Sequence, residues 1–200
     1  VLVRSLLLAS ALSPTFLVTM ANQQSVAEES SLASAIFTGL GTFVIAAGVA
    51  SLLAGKVSGW LSDVSSRNTL SGAALLATVV LIVTVVLGYA SSLSDAHAWT
   101  TVLVWWLPLA FFIISLAHAA IRVARSTYIV DMAEGTQRTR YVSVANTLMG
   151  VLLLLVGALT SVLAMASPEV ALAALALFGL LGAVLSKTLP EVSVGKKKVS

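Results

Sequence analysis

Two polar clusters interrupt an otherwise apolar chain, and they hold most of the side chains able to do chemistry. The first is Gly59-Trp60-Leu61-Ser62-Asp63-Val64-Ser65-Ser66-Arg67-Asn68, in which an acid follows a glycine by four positions and a base follows the acid by four. A carboxylate and a guanidinium four positions apart can pair with each other. A solvated turn would explain the two charges and leave the glycine without a reason. The second cluster, from Arg122 to Tyr141, holds Arg122, Arg125, Tyr128, Asp131, Glu134, Arg138 and Arg140. Tyr128 and Asp131 are three apart, so they share a helix face if the preceding helix continues through them. The structural alternative is a cationic anchor in which Asp131 pairs with an arginine.

Chemistry inside the apolar runs is sparse. His118 is the only ionisable residue expected within one, close to the basic edge at Arg122. Ionisable groups in a bilayer are functional candidates, and the alternative is a hydrogen-bonded structural histidine. Asn146 carries an amide that needs partners in a low-dielectric setting. Trp105 and Trp106 precede Pro108, where they either line a substrate path or pack against lipid and neighbouring helices. No His/Glu metal motif, Ser/Lys pair or Asp/Asp pair falls in these runs, and the chain has no cysteine. Neither enzymatic catalysis nor a metal or cofactor is therefore expected.

The elements that must position these residues follow from composition. The 200 residues are 58% hydrophobic and 10% charged, with a mean hydropathy of +1.04. Soluble domains carry about 25% charged residues, so the chain reads as an all-α integral membrane protein. A bilayer core of about 30 Å needs roughly 20 apolar helical residues. Six segments qualify, at Val3 to Ala21, Leu32 to Ala54, Leu70 to Ala90, Thr101 to Ile121, Val142 to Ala164 and Val170 to Leu185. The first also fits a secretory signal peptide, but Pro14 and the length of the run favour a span. Continuous rather than alternating hydrophobicity argues against a β-barrel.

The bases orient these spans. Arg4 precedes the first, Lys56 and Arg67 follow the second, four arginines follow the fourth, and Lys187, Lys196, Lys197 and Lys198 follow the sixth. The other connections hold Glu28, Glu29, Asp95, His97 and Glu169 and no base. All eleven bases thus fall on one side, which the positive-inside rule makes cytoplasmic, with both termini there. This distribution explains the net charge of +3 without a nucleic-acid partner. The organisation expected is a six-helix bundle over 1–188 and a basic cytoplasmic tail over 189–200. An apolar start at Val1 is expected of a fragment of a longer protein. Ser167, Pro168 and Glu169 spell a helix start, with a capping hydroxyl, a proline in the first turn and an acid at the positive end of the dipole.

Small residues form two stripes. Gly41, Gly48 and Gly55 recur every seven residues in the second span and lead to Gly59, while Asn146, Gly150, Gly157 and Ser161 line one face of the fifth. Such stripes serve close helix packing in membranes, or line a pore or cavity.

The stretch from Gly59 resembles the cytoplasmic loop signature of the major facilitator superfamily, G-x-x-x-D-R-x-G-R-R. Gly59, Asp63 and Arg67 match it, while Val64, Ser66 and Asn68 depart from it. Tyr128, Asp131, Arg138, Asn146 and Gly150 resemble the junction of the tenth and eleventh helices of bacterial members, and Leu189-Pro190-Glu191 is similar to the close of the last helix. The resemblance covers essentially the whole chain and implies the C-terminal half of such a transporter, six helices in two inverted three-helix repeats. It implies secondary active transport of a small solute by alternating access in a bacterial inner membrane. A missing N-terminal six-helix half would be partner and opposite wall. Gly59, Asp63 and Arg67 would form a loop latch, Arg122, Arg125, Tyr128, Asp131 and Arg138 a cytoplasmic junction, and His118, Asn146, Gly150, Trp105 and Trp106 would be candidate cavity-lining residues. The alternative is a non-transporting six-helix assembly or receptor module.

Overall fold

In lipid every backbone amide must find its partner within the chain, which favours uninterrupted helices. The computed structural model describes residues 2–27, 40–93, 97–132 and 137–188. Among them there is no strand. The first span is built of α1 (Leu2–Ala9), a 3-10 turn (Ser10–Leu12) and α2 (Ser13–Ala27). The other five are single helices: α3 (Leu40–Val64), α4 (Ser66–Leu93), α5 (His97–Met132), α6 (Gln137–Ala164) and α7 (Pro168–Ser186). All six spans are long and apolar enough to cross a bilayer, and the chain is an integral membrane protein.

The interruption of the first span has a local cause. Pro14 has no amide proton to give the Ser10 carbonyl four residues back. The Ser13 hydroxyl takes that carbonyl instead, at 2.6 Å, and Ser10 Oγ donates to the Leu7 carbonyl at 3.1 Å.

Between the second and third spans the sequence suggests a polar loop, and the structure corrects this. Helix continues through Gly59 and Asp63 to Val64, only Ser65 is non-helical, and α4 begins at Ser66. Hydroxyls make so short a junction possible. Ser65 Oγ accepts from the Asn68 amide at 3.2 Å, capping α4. The Leu61 carbonyl accepts from the Ser65 amide at 3.2 Å and from Thr69 Oγ1 at 2.8 Å. The second helix is thus described from Leu40 to Val64 rather than over Leu32 to Ala54, and positions 32–39 lie outside the described residues. Lys56 lies within this helix and not in a connection.

Elsewhere the agreement is closer. The fifth apolar stretch is Val142–Ala164, as read from sequence, and Ser167 Oγ caps α7 by accepting from the Val170 amide at 3.3 Å. α5 does continue past its apolar run, through Tyr128 and Asp131 to Met132. Gly135 and the tail over 189–200 lie outside the described residues.

Packing divides the spans into an inner set and two flanking ones. α4 packs extensively on α5 and α7, the first span packs on α7, and α3 packs on α5. Smaller contacts join the first span to α5 and α6, and α6 to α7. Exchanging spans one, two and three for four, five and six largely preserves this pattern: second on fourth becomes fifth on first, and third on fourth becomes sixth on first. The fifth span meets the first less extensively than the second meets the fourth. The second and fifth spans are the least covered, only 17% and 11% buried against 39–50% for the others.

The core follows from these contacts. Leu17, Met20, Leu81, Leu107, Ile114, Leu172 and Leu175 form one cluster, and Leu7, Leu70, Ile121 and Met149 a second. Phe43 meets Phe111 edge to face, with ring centroids 5.1 Å apart. The glycines that admit close helix approach are not those of the two stripes. A Cβ on Gly182 would stand 3.0 Å from the Leu7 amide nitrogen, and one on Gly179 only 2.6 Å from Thr78 Oγ1. Gly41, Gly48, Gly55, Gly59 and Gly150 have nothing within 4 Å of that position.

Gly182→Ala should therefore destabilise the bundle by about 1–3 kcal/mol through overpacking against a backbone that cannot swing aside. Gly48→Ala should be neutral or slightly stabilising, because alanine is the better helix former by about 1 kcal/mol. Denaturing-detergent titrations of the two variants test the difference, and equal midpoints would remove the significance of the close approach.

Candidate functional site

Three spans meet around a cavity of about 320 Å³. The first contributes Leu8, Ala11 and Pro14, α3 contributes Ala47 and Ser51, and α5 contributes Ser115, His118, Ala119 and Arg122. Its polar groups come from α5 and α3. Ser115, His118, Ala119 and Arg122 fall three or four apart, on one helical face directed at the other two spans.

His118 is buried and held in place. Its Nε2 lies 3.1 Å from Ser10 Oγ, across from α5 to the first span. Ser10 Oγ also lies 3.1 Å from the Leu7 carbonyl, and the tautomer of the ring decides which of its nitrogens donates. Ser51 donates its proton to the Ala47 carbonyl at 2.8 Å, so its oxygen is left as an acceptor. Arg122 is exposed and supplies the positive charge in this wall. A cationic donor beside a hydroxyl oxygen and an imidazole can bind a small polar solute with an anionic group. Among the described residues no three His, Cys, Asp or Glu side chains stand close enough to hold a metal ion.

The other residues singled out from sequence whose side chains are described lie outside this wall. Trp106 is half-buried, and its Nε1 donates to Thr84 Oγ1 at 2.9 Å, fastening α5 to α4. Trp105 is 57% exposed. Asn146 and Gly150 are exposed along α6. Arg125 turns toward α6, its Nη1 lying 3.1 Å from Met149 Sδ. Gly59 is half-buried in α3, and Arg67 is half-buried at the start of α4. The backbones of Asp63, Tyr128, Asp131 and Arg138 are helical, and their side chains lie outside the described residues. Sequence reasoning passed over Ser10, Ser51 and Ser115. The nearest signal for Ser10 was its place ahead of Ser13 and Pro14, where a proline leaves carbonyls needing hydroxyl partners.

With this geometry in view, comparison with protein-family models, curated proteins and solved structures finds no match to the chain.

Ser10→Ala removes the hydrogen-bond partner that His118 Nε2 has among the described residues. Interhelical hydrogen bonds in membranes contribute about 0.6 kcal/mol on average and up to about 1.7. The variant should lose stability within that range by detergent titration. An unchanged midpoint would mean that the histidine is not anchored through this contact.

Proposed function

We propose that the chain is the C-terminal half of a secondary active transporter of the major facilitator type, with both termini on the cytoplasmic side of a bacterial inner membrane. The observation that carries this reading is the exposure of two small-residue stripes on the two spans that exchange under the bundle's internal repeat. Among the described residues nothing stands within 4 Å of a Cβ on Gly41, Gly48, Gly55 or Gly150, Asn146 and Ser161 are exposed, and Gly157 makes an ordinary contact with Leu12 Cδ1 at 3.8 Å. Small residues let backbones approach, and in a bilayer that approach is what joins helices. A second bundle seated on α3 and α6 would use both stripes at once. The cavity of the first, second and fourth spans would then lie beside that interface and form one wall of a site shared by two halves. Inverted repeats around a midplane site are the usual architecture for alternating access.

In this reading a small solute binds between the halves, and the halves rock around it. Arg122 attracts an anionic group, and His118, held by Ser10, offers its second ring nitrogen. Asp63 sits one residue before the end of α3, where its charge opposes the helix dipole. A helix N-terminus in the other half would favour that charge, which makes Asp63 and Arg67 the candidates for a latch that holds one state. In the cytoplasmic junction Arg122, Arg125, Tyr128 and Asp131 would move with α5 and Arg138 with α6.

Reconstitution tests the proposal. The 200-residue chain alone in liposomes should carry no solute, and co-expression with the segment encoded upstream of Val1 should restore uptake. That segment should contain six further spans. Transport by the chain alone would sink the half-transporter reading and favour a self-contained module.

Orientation has its own check. Cysteines replacing the exposed Ser92 and Met165 should react with an impermeant thiol reagent added outside intact cells, and cysteines at exposed Asn68 and Thr188 should not. Labelling of Asn68→Cys from outside would invert the topology.

A further inference from the structure

Among the described residues, Arg122 is the only permanently charged side chain lining the cavity of the first span, α3 and α5, and no acid lines it. Leu8, Ala11, Pro14, Ala47 and Ala119 make the rest of the lining largely apolar. At the deep end stands Ser115, seven positions before Arg122 and so about two turns farther from the basic end of α5. Its Oγ has no hydrogen-bond partner among the described residues, and a hydroxyl can both donate and accept. A guanidinium, an apolar stretch and a hydroxyl therefore follow one another along the cavity. A second cavity, of about 440 Å³, opens on the other side of α5, between α3, α4 and α5, and no charged residue lines it.

We propose that the cavity holding Arg122 takes a small organic monocarboxylate with a hydroxyl at the far end of its carbon chain. The carboxylate sits against Arg122, whose planar fork of N–H donors matches it. The carbon chain covers Ala119 and the apolar residues of the other two spans, and the terminal hydroxyl reaches Ser115. Each part excludes a class of solute. A cation is repelled by the guanidinium. A dicarboxylate would place its second charge among Leu8, Ala11 and Pro14, with no further base in the lining to meet it. An unpaired charge there is costly. Inorganic phosphate would satisfy Arg122 and leave a hydrated ion against the apolar stretch. Length limits the carbon chain. Seven residues of helix rise about 10.5 Å, and an arginine leans back toward its helix N-terminus, so a few carbons span the remainder. That the ligand is also the transported solute rests on the half-transporter reading, whereas its binding rests on this cavity alone.

A ligand that binds the folded state delays unfolding, so the midpoint of a denaturing-detergent titration reports its affinity. The purified chain is titrated with γ-hydroxybutyrate, butyrate, butanediol, succinate or inorganic phosphate present. γ-Hydroxybutyrate should stabilise it most, and butyrate should bind about fivefold more weakly for want of one hydrogen bond. Butanediol, succinate and phosphate should leave the midpoint unmoved. Arg122→Gln should abolish stabilisation by both monocarboxylates. Ser115→Ala should weaken γ-hydroxybutyrate about fivefold, to the level of butyrate, and leave butyrate unchanged. Gly72→Leu fills the uncharged cavity, where nothing lies within 4 Å of the Cβ position, and should change neither. Equal stabilisation of wild type by butanediol, succinate or phosphate would overturn the assignment. So would no stabilisation by either monocarboxylate, binding that survives Arg122→Gln, equal loss of both in Ser115→Ala, or loss in Gly72→Leu. Uptake by the co-expressed segments without this binding would sink the site and spare the half-transporter reading. Binding without uptake would do the reverse.

Discussion

The rest of the bundle depends on the approach of α7 to the first span at Gly182, where no side chain separates the two backbones. Lipid tails are as apolar as leucine, so burying apolar surface does not draw helices together in a bilayer. Dispersion at short range does, and an added gap of about 0.5–1 Å already forfeits roughly a quarter to a half of its well. The contact at Gly179 with Thr78 repeats the device between α7 and α4. With the first span, α4 and α7 drawn close in this way, α5 finds a surface to pack on. Leu81, Leu107, Ile114, Leu172 and Leu175 close the core around it.

The same environment governs the polar residues. Water is not available to satisfy a hydroxyl, so most buried serines and threonines give their proton to a carbonyl three or four residues back. Thr78 to Ala74 at 2.9 Å and Thr84 to Val80 at 2.8 Å are of this kind. A hydroxyl used in this way keeps its acceptor, and Thr84 receives Trp106 with it. Ser10 meets His118 in a second contact between a hydroxyl and a ring. Each joins α5 to a neighbouring span. The histidine that the sequence offers as a functional candidate is thus also a structural tie, and the two roles are compatible because the ring has two nitrogens.

Both cavities flank α5, and they differ in what they expose. The one toward the first span gathers His118, Arg122, Ser51 and Ser115. The one on the other side is mostly apolar below Asn68 and Thr69. One helix can serve both because positions one or two apart point to different sides, so Ser115, His118 and Ala119 fall on one and Leu116, Ala117 and Ala120 on the other.

What the sequence determined by itself is the class and the number of spans. These depend on composition and run length, which are local quantities. The cap at Ser167 and the continuation of α5 through Tyr128 and Asp131 were legible for the same reason. The junction at Ser65 was not, because hydropathy marks Gly59 to Asn68 as polar and cannot show that serines and a threonine satisfy the backbone across a single residue. The glycines divide in a more instructive way. Spacing picked out Gly41, Gly48 and Gly55, which are open, and passed over Gly179 and Gly182, which are pressed against other helices. Periodicity reports which residues share a face, but only the tertiary arrangement decides which face meets a neighbour. The pairing of His118 with Ser10 belongs there too: 108 residues separate them, and no local pattern links a hydroxyl beside a proline kink to a ring on the fourth span.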